Sequence, residues 1–428
     1  MDDAKERPFG FWMAAALVVG GMIGSGIFVL PAQLAPYGWT GLVAWLFCAA
    51  GAITIGLVLA RLAAAMPQAS GAVAICAEAL GPLPGMLIGW AYWVGVWSAN
   101  AIIALTAIRY LGAFWPPLTA TPLASSLGAV ALIWLLTALN LRGAKAVGRF
   151  QVVTTALKLL PLIAVLVIVA GLALAGGQQF RSAPHAAFAW DQLTAAVTLA
   201  FFALVGFESA SIAAERVRDP ARNVVRATIA GLILTAIVYV IVCSGIVFAL
   251  PERTAADAAA PMAMFVATFW GPTAGLAVAG FAAIAAIGCL NGWILLQGEL
   301  PLGMSRAGVL PRWVGATSSR DVPVGALVVS SVLASILVLS NASRSTGALL
   351  DFMLRLTTAA TLWIYIGACL SALKMGIARP VAILGLAFAI WAMWGSGLEA
   401  GGLSVVLILV AVPLYYLARR TALAEQPT

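Results

Sequence analysis

Two short runs inside apolar segments carry the residue types best suited to binding a small polar molecule. GGMIGSG at 20–26 puts four glycines and a serine in the first long apolar stretch, although glycine destabilises a helix interior by about 1 kcal/mol relative to alanine. ALVGFESAS at 203–211 puts a glycine and a carboxylate in the sixth stretch. A helix interrupted at mid-membrane frees N–H groups that suit a carboxylate and carbonyls that suit an ammonium. Paired interruptions therefore predict a site that holds both ends of an α-amino acid.

The first run has a simpler interpretation as a helix-packing face. Gly20 and Gly24 have the GxxxG spacing that lets two helices approach closely. However, Gly20, Gly21, Gly24 and Gly26 cover most of a helical turn and do not keep to one face. Because a second interrupted run follows about 180 residues later, we favour two broken helices.

Charged residues inside apolar segments are the next candidates, because a charge at the bilayer centre costs at least about 2.5–3.5 kcal/mol. Glu208 lies in the second run and either caps freed N–H groups or has a role in transport. Lys158 lies eight residues into the fifth segment, about 12 Å from its start, so we favour a functional role over snorkelling. Arg109 and Arg355 lie near segment ends and are predicted to snorkel to the interface.

The composition requires these runs to lie in a membrane protein. The chain has 428 residues, of which 63% are hydrophobic and 9% charged, with a mean hydropathy of +1.06, whereas soluble domains are about a quarter charged. Long, non-alternating apolar runs predict helices and argue against a β-barrel. A single histidine, His185, and the lack of HExxH or Walker A motifs predict no metal and no cofactor. A membrane-embedded enzyme is therefore a remote alternative.

Twelve apolar segments are predicted, near residues 11–35, 41–65, 84–112, 124–141, 150–175, 192–214, 225–250, 264–297, 323–341, 350–373, 380–397 and 401–418. With both termini cytoplasmic, 17 Lys and Arg fall in inner loops or at the cytoplasmic ends of segments, three in outer loops and three deeper within segments. This asymmetry follows the positive-inside rule. It accounts for the net charge of +8 without a nucleic acid partner. The chain is predicted to be one transmembrane domain.

Several motifs in order along the chain resemble one transporter family. GGMIGSGIF followed by LPAQLA resembles the first-helix signature of the amino acid–polyamine–organocation transporters. The likeness continues through LNLRGAKAVGRFQ at 139–151, GFESASIAAERVRDPARNV at 206–224 and NGW at 291–293. The likeness covers essentially the whole chain. Within the family, the chain resembles the bacterial arginine/agmatine, cadaverine/lysine and putrescine/ornithine antiporters.

The resemblance implies an all-α fold of twelve transmembrane helices. Two five-helix repeats of inverted orientation, at about 11–175 and 192–373, would contain the broken helices 1 and 6, with helices 11 and 12 at about 380–418 outside them. It also implies alternating access, a location in the bacterial inner membrane and, as in many relatives, a homodimer. The implied partners are an amino acid or amine substrate, protons and the lipid bilayer.

The resemblance also assigns roles to individual positions. The implied substrate-binding residues are Met22, Ile23, Gly24, Ser25, Gly26, Tyr92, Asn100, Phe202, Val205, Trp293 and Thr357. Ser25 and Gly26 match the carboxylate site, and the carbonyls of both breaks match the amino-group site. Phe202 matches an aromatic gate, and Trp293 matches a tryptophan under the substrate side chain. Glu208 matches a glutamate linked to pH sensing and gating.

Departures from the arginine exchangers leave two mechanisms open. Gly21 stands where those exchangers carry asparagine, and Phe202 stands where they carry tryptophan. They lack a lysine at the position of Lys158, which proton-coupled and sodium-independent relatives carry. The resemblance therefore implies that Lys158 either couples a proton or serves as a fixed substitute for a sodium ion. The alternatives are exchange of a cationic amino acid for its amine, and proton-coupled transport of neutral amino acids. A sensor on the same fold is a further alternative, whereas a channel fits two broken helices poorly.

Overall fold

The computed structural model describes residues 10–67, 69, 71–142, 157–181, 184–208, 217–319, 322–340 and 342–424. Some sequence predictions lie outside these residues. They are the start of the fifth segment at 150–156, the end of the sixth at 209–214, and the basic residues Lys5, Arg7, Lys145, Arg149, Arg216 and Arg320.

The described chain is helical almost throughout. Its α-helices, in chain order, are α1 Phe11–Met22, α2 Gly26–Leu34, α3 Gly38–Ala65, α4 Gly71–Leu80, α5 Pro82–Leu111, α6 Pro122–Asn140, α7 Leu159–Leu174, α8 Trp190–Leu204, α9 Pro220–Ala249, α10 Glu252–Ala256, α11 Pro261–Trp270, α12 Pro272–Arg306, α13 Val324–Ser340, α14 Thr346–Met375, α15 Arg379–Gly395, α16 Gly397–Leu409 and α17 Ala411–Ala424.

Seven helical stretches in this part of the chain are long and apolar enough to cross a membrane. They are Gly26–Ala65, Pro82–Leu111, Pro122–Asn140, Arg222–Ala249, Pro272–Arg306, Gly347–Met375 and Gly397–Ala418. Further apolar helices have 10–17 residues, among them α1, α7, α8, α13 and α15. Every residue of an 18-residue apolar stretch of α5 is buried inside the protein, so α5 is the central helix of the fold.

The structure corrects several predicted boundaries. The predicted segment 264–297 is two helices, α11 and α12, separated at Gly271, and α12 continues to Arg306. The residues between the second and third predicted segments, where no helix was predicted, contain the ten-residue helix α4. The predicted segment 401–418 spans parts of α16 and α17, which are separated by a turn at Val410.

Two helical corners have the same construction. Gly81 (φ +108°) joins α4 to α5, and Gly271 (φ +89°) joins α11 to α12, each directly before a proline. Glycine suits both positive φ values, and proline suits the first position of a helix. At each corner a glycine four residues on packs on the preceding helix: an ideal Cβ on Gly85 would lie 2.4 Å from the Ala77 Cβ, and one on Gly275 would lie 2.5 Å from the Ala267 Cβ.

The helices pack as two groups around the centre of the fold. α5 packs along α12 and α14, and α6 and α13 join this side, whereas α3 packs along α9 and α8, and α1 along α9. α15 contacts both groups, because it packs along α14 and also along α3 and α8. The Thr198 hydroxyl donates to the Ala392 carbonyl at 2.7 Å, and Gly395 lies so close to the Thr194 carbonyl that an ideal Cβ would be 2.3 Å from its oxygen.

Candidate functional site

The first interruption lies where the glycines predict it. α1 ends at Met22, Ile23 leaves the helical region at φ −69° and ψ 87°, and α2 begins at Gly26. The first N–H groups of α2 and the last carbonyls of α1 have no partners within their own helices. The N-terminal end of α2 and the C-terminal end of α1 therefore face the same short gap with partial charges of opposite sign.

Two side chains from elsewhere in the chain donate hydrogen bonds to carbonyls at the end of α1. The Lys158 Nζ donates to the Gly20 carbonyl at 2.7 Å, and the Tyr239 hydroxyl donates to the Met22 carbonyl at 2.8 Å. Lys158 is 9% exposed, so its ammonium is held inside the protein at the break and does not snorkel. A carbonyl has two lone pairs, so Met22 retains capacity for a second donor.

The second interruption packs directly against the first. α8 ends at Leu204, residues 205–208 form a turn, and Gly206 has φ +111°. An ideal Cβ on Gly206 would lie 2.5 Å from the Gly21 carbonyl oxygen. Only glycine fits this backbone conformation and this contact, so Gly206 brings the two breaks together.

Glu208 joins the second break to two other helices. Its carboxylate accepts the Tyr92 hydroxyl of α5 at 3.0 Å, the Tyr365 hydroxyl of α14 at 3.0 Å and the Gly206 N–H at 3.1 Å. Glu208 is 3% exposed. The carboxylate thus caps an N–H of the break, which is one of the two predicted roles, and it also links three elements through buried hydrogen bonds.

Replacing either tyrosine of this cluster with phenylalanine is expected to destabilise the protein. Tyr92→Phe and Tyr365→Phe each remove one O–H donor from a buried carboxylate, which costs about 1–3 kcal/mol. Thermal unfolding of the purified protein in detergent should show a lower midpoint for both variants. Tyr416→Phe, at a side chain that is 54% exposed, is the control and should be unchanged. Equal midpoints for all three variants would show that the cluster contributes nothing.

A small cavity of about 30 Å³ lies between the two breaks, enough for about one ordered water. Residues of both breaks, α5, α12 and α14 form its wall: Gly21, Met22, Gly24, Ser25, Gly26, Ala99, Ile103, Phe202, Ala203, Val205, Cys289, Trp293, Thr357 and Thr361. Among the described residues, no acidic side chain lines it. The described wall combines small and aliphatic residues with two aromatic side chains, Phe202 and Trp293, and with hydroxyl-bearing serine and threonine residues.

Most of the predicted substrate-binding residues meet at this cavity, but some do not. Met22, Gly24, Ser25, Gly26, Phe202, Val205, Trp293 and Thr357 line it. Ile23, Tyr92 and Asn100 are absent from its wall. The Tyr92 hydroxyl is taken by Glu208, and Asn100 Nδ2 donates to Gln297 Oε1 at 2.6 Å. Asn100 therefore belongs to a buried polar contact between α5 and α12.

Several cavity residues were missed from the sequence. Ala99, Ile103, Ala203, Cys289 and Thr361 line the cavity and were not predicted. Two of them could have been found by helical spacing, because Cys289 precedes Trp293 by four residues and Thr361 follows Thr357 by four. The Glu208 partner Tyr365 carries the same signal, because it follows Thr361 by a further four residues in α14.

The two arginines predicted to snorkel are instead bonded within the protein. Arg109 is 6% exposed and donates to the Ala259 carbonyl at 2.8 Å and the Ala258 carbonyl at 2.7 Å. Arg355 donates to Asp351 at 2.8 Å, to the Tyr37 hydroxyl at 3.0 Å and to the Gly395 carbonyl at 3.0 Å. Snorkelling was a wrong prediction, because both guanidiniums bond acceptors inside the protein. Most of these acceptors are distant in sequence, so a local pattern does not reveal them.

Sequence comparison matches the chain to one protein family and to several bacterial proteins. A sequence model of a family described as amino acid permease matches residues 9–425. The chain is 28% identical to a cadaverine/lysine antiporter of Escherichia coli (strain K12), over 98% of this chain and 96% of that protein. It is 31% identical to a putative arginine/ornithine antiporter of Bacillus subtilis (strain 168), over 84% and 81%. It is 24% identical to the putrescine transporter PotE of Escherichia coli (strain K12), over 94% and 93%.

Proposed function

Because the chain belongs to the amino acid permease family, we propose that it is a secondary active transporter that exchanges an amino acid for an amine by alternating access. The observation that carries the proposal is the cavity between the two helix breaks, which is lined by residues of both. The similarity to a cadaverine/lysine antiporter, a putative arginine/ornithine antiporter and a putrescine transporter supports a small amino acid or amine as the substrate.

The substrate backbone is proposed to bridge the ends of the broken helices. Its α-carboxylate would accept hydrogen bonds from Ser25 and from the N–H groups at the start of α2, where the helix dipole is positive. Its α-amino group would donate to carbonyls of Met22, Ile23, Phe202 and Val205 at the ends of α1 and α8. The start of α2 and the ends of α1 and α8 carry partial charges of opposite sign, so the two ends of an α-amino acid are bound in one orientation.

The substrate side chain is proposed to lie among residues of α5, α8, α12 and α14. Phe202 and Trp293 supply aromatic faces, and a cationic side chain binds such faces at a gain of about 0.5–2 kcal/mol. Thr357 supplies a hydroxyl, which in this conformation contacts the Ser98 hydroxyl at 3.0 Å. Phe202 is proposed to close the cavity on one side, and the Tyr92–Glu208–Tyr365 cluster to close it on the other.

A second candidate function is proton-coupled transport of neutral amino acids. Two observations favour it: the described cavity wall contains no carboxylate to pair with a cationic side chain, and the Lys158 ammonium contacts the carbonyl end of the first break. A lysine in a low-dielectric site can exchange its proton during a transport cycle.

We further propose the architecture that such a transporter requires. The single domain would cross the membrane twelve times, with repeats at about 11–175 and 192–373 and both termini in the cytoplasm of a bacterial cell. The matching corners at Gly81 and Gly271 support the repeats, because they occur at the starts of α5 and α12, the third and eighth predicted segments. A homodimer in the inner membrane is part of the same proposal.

Transport in liposomes tests these proposals. The purified protein is reconstituted in vesicles loaded with arginine, agmatine, lysine, cadaverine or alanine, one at a time. Labelled arginine and labelled leucine are then offered outside, with and without an inward proton gradient. The proposed exchange predicts arginine uptake only when an amino acid or its amine is inside. Leucine uptake driven by the proton gradient would support proton-coupled transport of neutral amino acids and contradict the exchange. No uptake under any condition would contradict both candidate functions.

A further inference from the structure

A hollow of about 470 Å³ lies at the end of α5, away from the cavity between the breaks. Its wall is formed by the end of α5, the turn that follows it, the segment between α10 and α11, and the α11–α12 corner. The wall residues include small or apolar ones such as Ala113, Ala263, Met264 and Leu276. Apart from Thr119, its one polar side chain among the described residues is Arg109. The hollow is thus an apolar surface with a single cation in its wall.

The guanidinium of Arg109 is not fully satisfied by the protein. Its Nε and Nη2 donate to the Ala259 and Ala258 carbonyls, but its buried Nη1 has no hydrogen-bond partner among the residues that the structure describes. Asp257, next to these carbonyls in sequence, forms no ion pair with Arg109 within the described chain. A buried cation without an anion is costly, so the site is one that an anionic group would stabilise.

The surroundings of the hollow indicate the depth at which it opens. Phe114 and Trp115, which follow α5, are 54% and 60% exposed, and Trp270 at the α11–α12 corner is 51% exposed. Exposed aromatic residues at the ends of membrane helices mark the region of the lipid headgroups. The hollow therefore opens at the depth where lipid phosphates lie.

We propose that this hollow binds an anionic phospholipid, with the headgroup phosphate at Nη1 of Arg109 and an acyl chain along the apolar wall. A phosphate accepts charge-assisted hydrogen bonds from a guanidinium, while the alanine and methionine side chains offer area for a hydrocarbon chain. A free anion would use the cation but not the wall, and a neutral lipid would use the wall but leave the cation without an added negative charge. The chemistry of the whole site therefore selects an anionic amphiphile.

Lipid binding to the full-length purified protein in dodecyl maltoside tests the proposal. Native mass spectrometry would compare phosphatidylglycerol with phosphatidylcholine, and thermal unfolding would compare phosphatidylglycerol with inorganic phosphate. We expect retention of phosphatidylglycerol at about 10–100-fold lower concentration than phosphatidylcholine, and stabilisation by phosphatidylglycerol but not by inorganic phosphate. Arg109→Gln should abolish the preference, and Arg253→Gln, at an exposed arginine of α10, should preserve it.

A second variant keeps the test valid if Arg109→Gln does not fold. Ala113 is exposed and lines the hollow, so Ala113→Trp should fill it and remove lipid retention while leaving the Arg109 contacts in place. Equal binding of the two lipids, an equal effect of inorganic phosphate, or a preference that survives Ala113→Trp would each overturn the proposal. Arg109 would then act only as a clamp on residues 258 and 259.

Discussion

Gly206→Ala is expected to abolish transport. The Cβ of alanine would lie 2.5 Å from the Gly21 carbonyl oxygen, and the residue would have to keep a φ of +111°. Holding a non-glycine residue in such a region costs about 1–3 kcal/mol before any steric clash. The two breaks would have to move apart, which would separate the proposed carboxylate and amino-group sites. Exchange in liposomes, normalised to reconstituted protein, should fall to the background of empty vesicles.

Gly20→Ala is the matched control, because Gly20 lies in the last turn of α1, directly before the first break, with open space around it. No atom lies within 4 Å of an ideal Cβ on Gly20, and alanine favours the helix by about 1 kcal/mol. This variant should transport as the parent does and unfold at the same or a higher temperature. If Gly206→Ala also transported at the parental rate, the close approach of the two breaks would have no part in the mechanism.

Lys158→Met is expected to reduce transport about 10–100-fold, the equivalent of losing a hydrogen bond with a charged donor. Methionine keeps the length of the side chain but cannot donate to the Gly20 carbonyl, and it removes a positive charge beside the negative end of α1. Uptake should be measured both as exchange and under a proton gradient. Lys374→Met, at an exposed lysine in the last turn of α14, should leave both unchanged.

The two assays separate the proposed roles of Lys158. Loss of exchange and of gradient-driven uptake together would indicate a fixed charge that shapes the break. Loss of gradient-driven uptake alone would indicate that the amine carries a proton. Parental rates in both assays would contradict any role for the contact with Gly20.

Sequence patterns were most informative where the membrane itself imposes the rule. Apolar length predicted segments such as 323–341, close to α13 at Val324–Ser340. The cost of glycine in a helix located the first interruption within residues 20–26, and α1 and α2 are separated there. Helix length and helix interruption depend on residues that are neighbours in sequence, so one amino-acid sequence is sufficient to predict them.

Boundaries inside continuous apolar sequence were harder to predict. The Gly271–Pro272 pair is a helix-end signal, but apolar residues on both sides hide it in a hydropathy profile, and α11 was merged with α12. Hydrogen bonds between residues distant in sequence could not be predicted. Arg109 bonds residues about 150 positions away, and Arg355 bonds Tyr37 at a separation of 318 residues. Their snorkelling was predicted from depth alone, because no local pattern reveals such acceptors.

The docking of α15 on α8 has a consequence for how the protein is made. The Thr198 side chain and the Thr194 carbonyl meet Ala392 and Gly395, which the ribosome adds almost two hundred residues later. At about 5–20 residues per second, roughly 10–40 s pass between the synthesis of the two partners. During that interval the helix that ends at the second break has one face without its final neighbour. A nascent chain that stalls before α15 therefore leaves α8 open to rearrangement or to capture by membrane quality-control proteases.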